Sequence, residues 1–187
     1  SEYRKRNKFA DPTGTLAPVL EKVRGLYDFV FLDTAPNASA PTIASYRTAE
    51  WFILSTEASK LSVDGLNDAL TDIVAVREAG NAQLRLLGVI MCKVDSRTRI
   101  ATTYVDRIRK EFESAGELGA FDTFITRATA IERAQAEGQT LFQTQPDHKV
   151  AEQYRSLARE VLARLATATK IDAPVEFKPE VREASNA

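Results

Sequence analysis

The sequence is poor in cysteine and histidine, the side chains that most often form disulfides or bind zinc. Among 187 residues it has one cysteine, Cys92, and one histidine, His148. A single cysteine excludes a disulfide within the chain and is typical of a reducing compartment. One residue of each type is also too few for a structural zinc site. With no second cysteine and His148 far along the chain, we interpret Cys92 as a small buried apolar residue rather than a nucleophile.

Long apolar runs and an excess of charge of either sign are also absent. No run approaches the ~20 apolar residues of a membrane span, and residues 1–11 lack the apolar stretch of a signal peptide. The formal net charge is −1, so any affinity for nucleic acid must come from a local basic patch. No segment matches the phosphate-binding patterns GxxxxGK[ST] or GxGxxG.

Short apolar runs alternate with amphipathic stretches between about Leu16 and Leu165. The apolar runs are Phe29–Leu32, Trp51–Leu54, Leu86–Met91 and Phe121–Ile125. Helical spacing of apolar residues occupies residues 62–79, 98–115 and 147–165. This order predicts an α/β fold with a doubly wound, mostly parallel sheet flanked by helices. Since Phe29–Leu32 and Trp51–Leu54 are continuously apolar, we expect both to be strands covered on both faces.

The ends of the chain differ from this periodic region. Residues 1–15 are polar at the start, and the last residues contain Pro174, Pro179 and several charges without periodicity. We therefore expect a polar N-terminal segment over residues 1–15, one domain over residues 16–166, and a mobile tail over residues 167–187.

Ligands bind at the carboxyl ends of parallel strands, so the residues after each apolar run are candidates for a site. Asp33 follows the first run, either as a carboxylate near Mg²⁺ or as a cap of the next helix. Lys93 follows the third run, where it either contacts a ligand or is simply solvated.

Basic residues are concentrated between Lys93 and Lys110, where six stand against two acids for a local charge of +4. Such a surface can neutralise phosphates without reading bases, although a solvated helix face is an equal alternative. The last helical stretch adds Lys149, Arg155, Arg159 and Arg164.

Taken in order, these segments resemble the ParA/Soj branch of the deviant-Walker ATPases, the family that also includes MinD. Tyr27–Pro36 resembles the family's YDxxxxDxxP segment with its switch II aspartate. The other matching segments are Thr48–Glu57, Ser62–Leu66, Leu86–Thr98, Ala130–Ala134, Gly138, Pro146 and Ala151–Tyr154. The sequence departs from the family at Cys92, Lys93 and Thr126, and it lacks the family's KGGxGKT loop.

The resemblance implies a P-loop NTPase (SIMIBI, Rossmann-like) fold without its first βα unit or units. We therefore expect a fragment that hydrolyses no ATP alone, from an ATPase that partitions chromosomes or plasmids. The implied cofactors are ATP and Mg²⁺, and the implied partners are a second copy in an ATP-dependent homodimer, non-specific DNA and a centromere-binding ParB-like protein. The implied location is the bacterial cytoplasm, associated with the nucleoid and not with a membrane.

The resemblance also assigns residues. Asp33 would be catalytic and act on Mg²⁺ through water, Pro36 and Asn37 would form the switch loop, and Lys93 with Ile125, Thr126 and Arg127 would lie beside adenine. The DNA-contacting residues would be Arg97, Arg99, Arg127 and Arg155. One alternative is a MinD-like membrane-associated positioning ATPase, which the tail disfavours because it has no amphipathic helix. Another is a non-hydrolysing adaptor that kept the fold.

Overall fold

The computed structural model describes residues 13–35, 39–57, 70–113 and 119–168. These residues divide into two compact units, which we describe separately. The first unit lies within residues 13–52 and 70–85, and the second within residues 53–57 and 86–168. None of the helices in the described ranges has the length and apolar character needed to cross a membrane.

Helices and strands alternate along the described chain. In order they are α1 (Thr13–Val23), α2 (Ala40–Thr48), β1 (Trp51–Glu57), α3 (residues 70–78), β2 (Arg85–Cys92), α4 (Arg99–Glu113), α5 (Thr129–Ala136), α6 (Leu141–Thr144) and α7 (Lys149–Ala168). β1 and β2 form a parallel sheet. Residues 119–127 also run along β2, through parallel bridges at Val89–Ala120 and Val94–Thr126. The predicted α/β class with a parallel sheet is confirmed.

The first predicted strand, Phe29–Leu32, is wrong. Residues 29–35 have no regular secondary structure, and no strand of the described ranges pairs with them. Phe29 and Val30 are each 51% exposed and Phe31 is 82% exposed. An extended segment becomes a strand only when a neighbour binds its backbone groups, so apolar sequence alone does not make it one.

The other predicted strands differ in how they are covered. In β2, Leu87, Val89, Ile90 and Met91 are all buried, as expected of a strand with both faces covered. In β1, buried and exposed residues alternate, and Ile53 is 39% exposed. Only one face of β1 is therefore covered, contrary to the prediction. Phe121–Ile125 is not a regular strand, because its backbone pairs with β2 only at isolated bridges.

The helical periodicity is confirmed where the structure describes it. In α4, Ala101, Val105 and Ile108 are buried, at the predicted spacing. Thr98 caps the N-terminus of this helix, because its Oγ1 accepts a hydrogen bond from the Ala101 N–H at 3.3 Å. α3 ends just before Gly80, which has a φ of 135°. Residues 62–69 of the predicted helix lie outside the described residues.

α2, a helix that the periodicity missed, is fixed by hydrogen bonds at both ends. In the first unit, Ser39 caps α2, and Asn81 Nδ2 donates to the carbonyls of Tyr46 and Ala49 at the other end, at 2.7 and 2.9 Å. Arg47 also donates to the Ala79 carbonyl at 3.0 Å. These bonds satisfy terminal backbone groups that a short helix leaves unpaired.

Arg164 of α7 organises the second unit. Its guanidinium donates to the carbonyls of Leu87, Gly119 and Ala120 at 3.1, 2.8 and 2.8 Å, and it lies 4.1 Å from the centroid of the Phe121 ring. It also pairs with Glu160 at 2.9 Å, and its side chain is only 16% exposed. Arg164 therefore links α7 to β2 and to residues 119–121, and is not part of a basic surface.

Gly88 leaves the space that the Arg164 side chain occupies. It has a φ of 154°, and a Cβ there would lie 2.5 Å from Arg164 Nη1, 2.8 Å from the Phe121 ring and 2.9 Å from the Gly119 carbonyl oxygen. Such distances require the backbone or the guanidinium to move.

We predict that Gly88→Ala lowers the free energy of unfolding by about 3 kcal/mol, because it combines overpacking with backbone strain. The matched control is Gly138→Ala, since Gly138 also has a positive φ, of 65°, but no atom within 4 Å of the added Cβ. We expect it to cost about 1 kcal/mol. Urea titration measures both values, and equal losses would contradict the steric role of Gly88.

Candidate functional site

Two charged side chains meet where β1 and β2 end. Lys93 follows β2, and its Nζ lies 2.8 Å from Oε1 of Glu57, the last residue of β1. The hydrogen bond from Lys93 lowers the pKa of Glu57, and the same bond raises the pKa of Lys93. Lys93 has a φ of 53°, in the left-handed region that non-glycine residues seldom occupy. The predicted candidate Lys93 is thus held by a carboxylate at the sheet edge.

The turn after Lys93 is closed by Asp95 and Arg97. The carboxylate of Asp95 accepts two hydrogen bonds from the Arg97 guanidinium, both at 2.9 Å, and one from the Arg97 N–H at 3.2 Å. The Arg97 side chain lowers the pKa of Asp95 to about 2. The Thr98 N–H donates to the Asp95 carbonyl at 3.1 Å, which joins this turn to α4. Arg97 is 87% exposed, but its charge is offset by its partner.

The predicted loop of residues 125–127 lies beside this turn. The N–H of Val94 donates to the Ile125 carbonyl at 3.0 Å, and the N–H of Arg127 donates to the Val94 carbonyl at 3.1 Å. The positive charge of Arg127 also lowers the pKa of Glu57, although less than Lys93 does. It lowers the pKa of Asp95 too, although less than Arg97 does. The second unit therefore brings Lys93 and Arg127 into one group of charges.

Within that loop, Ile125 and Thr126 are buried, at 3% and 9% exposure. The N–H and the hydroxyl of Thr126 both bond to Oε1 of Gln153 in α7, each at 3.0 Å. Gln153 is 27 residues away in sequence, and nothing in the pattern of an amphipathic helix distinguishes it. The sequence analysis also did not identify Glu57 as a candidate site residue. Its position at the end of a predicted strand is the same signal that singled out Asp33.

Asp33 belongs to the first unit. It is exposed and lies in the stretch without regular secondary structure. The alternative that it caps the next helix is wrong, because the Oγ of Ser39 accepts the capping bond from the Thr42 N–H at 3.4 Å. The Thr42 hydroxyl also donates to the Ala35 carbonyl at 3.4 Å, which ties the stretch after Asp33 to α2. Pro36 and Asn37 lie outside the described residues.

The four arginines predicted to contact DNA all belong to the second unit. Arg97, Arg99 and Arg127 are exposed. Arg155 is more constrained, since it pairs with Glu152 at 3.3 Å, donates to the Pro146 carbonyl at 2.9 Å and lies 5.3 Å from the Phe142 ring centroid. Glu152 also pairs with Arg159 at 2.9 Å, so one carboxylate offsets two positive charges.

Cys92 precedes this group and is half-buried. Burial raises the pKa of its thiol, an effect that outweighs the opposite influence of Lys93. The thiol is therefore protonated at neutral pH and is a poor nucleophile, in agreement with the interpretation from the sequence.

Sequence comparison identifies relatives of this chain. Residues 5–86 match the family described as AAA domain. The chain is 34% identical over 142 residues to the chromosome-partitioning ATPase Soj of Thermus thermophilus, covering 76% of this chain and 55% of that protein. It is 25% identical over 148 residues to the sporulation initiation inhibitor protein Soj of Bacillus subtilis, covering 79% and 57%. The chain thus spans about half the length of the curated relatives it matches.

Solved structures share the fold. The cell division ATPase MinD of Pyrococcus furiosus aligns with a TM-score of 0.61 at 18% identity, over 82% of this chain and 59% of that one. The septum site-determining protein MinD of Pyrococcus horikoshii, complexed with Mg-ADP, also gives 0.61, at 21% identity, over 88% and 61%.

These likenesses show that the chain shares the fold of the MinD structures. Its sequence resemblance to the ParA/Soj type is confirmed by the Soj relatives.

We predict that Asp95 titrates with a pKa near 2 and that Arg97→Gln raises this value toward about 3.9, the ordinary value for aspartate. Because the folded-state pKa is the lower one, the ion pair stabilises the fold above the unfolded pKa and is lost as the pH falls through about 2. Carbon-detected NMR of the carboxylate measures the midpoint. Arg99→Gln, an exposed control nearby, should leave it unchanged, and an unshifted midpoint in Arg97→Gln would contradict the assignment.

Proposed function

We propose that this chain is part of a ParA/Soj-type ATPase that binds Mg-ATP, forms a nucleotide-dependent dimer and moves DNA during partitioning. The main observation in support of this proposal is a group of charged residues around the carboxyl ends of β1 and β2, namely Lys93, Asp95, Arg97 and Arg127. Parallel α/β sheets bind ligands at that edge. The chromosome-partitioning relatives support the choice of reaction and process.

The base-binding loop, as we name residues 125–127, would accept the nucleobase together with Lys93. Its backbone is fixed to Val94, and its exposed end carries the guanidinium of Arg127. A rigid backbone with few exposed polar groups fits a flat base better than it fits a phosphate, which prefers converging N–H donors. The loop would therefore orient the base, while phosphates bind elsewhere.

Asp33 fits a water-mediated contact to Mg²⁺. It is exposed, and it is not used as a helix cap. Within the described ranges, no group of three or more potential ligands surrounds a metal position. A single carboxylate suits Mg²⁺, which keeps several waters and takes further oxygens from bound phosphates. When bound, the ion supplies charge that offsets the transferring phosphoryl group, and Asp33 would orient one of its waters.

We predict that Asp33→Ala, in the intact ATPase, lowers the rate of ATP hydrolysis by about a hundredfold with little change in stability. Asp106→Ala removes an exposed carboxylate from α4 and serves as the control. Turnover and thermal unfolding are measured on both variants. If Asp33→Ala unfolds early while keeping its activity per folded molecule, the catalytic role is refuted.

We predict that this chain alone, which has no GxxxxGK[ST] segment, shows no ATP turnover above the buffer.

DNA contacts would be made by the exposed arginines of the second unit, without base readout. The segment from Lys93 to Lys110 has a local charge of +4. Glu57, which lies outside this segment and pairs with Lys93, offsets part of it. A partly neutralised patch on one subunit binds duplex weakly, so we propose that the dimer is the species that binds DNA. It would act in the nucleoid of a bacterial cell, under the control of a ParB-like partner.

We predict that alanine at Arg97, Arg99, Arg127 and Arg155 weakens binding of the ATP-loaded dimer to all duplex sequences alike. The salt slope should fall by about one per lost contact. A control with the same charge loss replaces Lys22, Arg24, Arg77 and Arg133, which lie outside both the Lys93–Lys110 segment and α7. Glu152→Gln should tighten binding, because it releases two arginines from their shared carboxylate. Fluorescence anisotropy at several salt concentrations measures each case, and equal effects of the two quadruple variants would reject this surface.

The main alternative is a MinD-like membrane function, and measurements of DNA binding distinguish it from partitioning. The MinD structures are 18% and 21% identical to this chain, so they support the fold and not the ligand. Binding of the ATP-loaded protein to anionic vesicles, with no affinity for duplex, would favour that alternative. Absence of nucleotide binding would favour the adaptor.

A further inference from the structure

One face of α7 binds the backbone of residues 119–126. Gln153, Glu160 and Arg164 are spaced by seven and four residues, which places them on the same side of a helix. Glu160 accepts from the N–H groups of Asp122 and Thr123 at 2.8 and 3.0 Å. Arg164 donates to Gly119 and Ala120. Gln153 alone reaches the base-binding loop, through Thr126.

The Thr126 N–H fixes the orientation of the Gln153 amide. A backbone N–H can only donate, so the atom of Gln153 that faces it must be the oxygen, which can only accept. The same oxygen lies 3.0 Å from the Thr126 hydroxyl. The hydroxyl must therefore donate its hydrogen to Gln153 as well, since two acceptors cannot bond to each other.

This arrangement leaves Thr126 with acceptors only. Its N–H and its O–H are both committed to Gln153, and what remains is the carbonyl and the free lone pairs of the hydroxyl. A base that presents an amino group satisfies such acceptors. A base that presents a carbonyl oxygen at the same place leaves buried acceptors facing each other, which is unfavourable.

We propose that Gln153 is a positioning residue that makes Thr126 an acceptor-only group and thereby selects adenine, with its amino donor, over guanine, with its carbonyl oxygen. This inference rests on the proposed nucleotide-binding function. It adds a residue of α7 to the site, although no atom of Gln153 need touch the nucleotide.

The test compares dissociation constants for ADP and GDP in the intact protein, by isothermal titration calorimetry. Gln153→Met has similar length but no acceptor, so the Thr126 hydroxyl becomes free to rotate and donate. We expect the preference for ADP over GDP to fall by about fivefold, the effect of one neutral hydrogen bond. Gln153→Glu retains an acceptor-only oxygen and should keep the preference. Gln135→Met, at an exposed position in α5, is the matched control.

The ratio of the two constants separates this role from a structural one. A residue that merely stabilises the fold weakens both nucleotides equally and leaves the ratio unchanged, so an unchanged ratio in Gln153→Met overturns the inference. If Gln153→Met does not fold, Thr126→Val removes the hydroxyl acceptor directly and should weaken ADP more than GDP; equal weakening overturns the inference too. A wild-type protein that binds neither nucleotide refutes the proposed function itself.

Discussion

A buried guanidinium holds the second unit together. A cation that is mostly removed from water is costly unless hydrogen-bond acceptors replace its hydration, and Arg164 has three carbonyls, a carboxylate and an aromatic face. The acceptors come from three parts of the fold, so the cation fixes β2, residues 119–121 and α7 at one point. The lack of a side chain at Gly88 is the condition for this arrangement. The position of residues 125–127 follows, because they continue the segment that Arg164 anchors.

The exposed ion pairs at the sheet edge have a different role. Lys93 with Glu57 and Asp95 with Arg97 are largely solvated, and solvated pairs contribute little to stability. They do set the charge of the candidate site, because Glu57, which lies outside the Lys93–Lys110 segment, offsets a cation that the local charge of +4 leaves uncompensated. The same holds for Glu152 with its two arginines. The positive patch in the sequence is thus weaker in the folded chain than a count of residues indicates.

The sequence predicted elements well where local pattern and tertiary surroundings agree. Ala101, Val105 and Ile108 have helical spacing, and they are buried in α4. Phe29–Leu32 has the composition of a strand, but strand formation depends on a partner backbone, which composition does not encode. In β1, buried and exposed side chains alternate although the sequence of the run is continuously apolar, because burial depends on the elements that cover each face.

The candidate site was predictable only in part, for the same reason. Lys93 was singled out because it follows an apolar run, whereas Arg127 was named only through the resemblance to the family. Gln153 could not be identified in either way, since its role depends on which side chain of a long helix faces a loop 27 residues away. Asp33 is exposed as a ligand residue must be, and its alternative as a cap was excluded by the hydroxyl of Ser39. Its function is still a prediction.

The open apolar run before Asp33 has a consequence for handling the protein. Leu26, Tyr27, Phe29, Val30 and Phe31 are between 51% and 82% exposed. Phe29, Val30 and Phe31 are consecutive β-prone residues that pair with no strand of the described ranges, and such a segment is a template for intermolecular strand pairing. We therefore expect purified molecules to associate through this run as their concentration rises. A lysine substituted at Phe31, which is the most exposed of these residues, is the natural solubilising change.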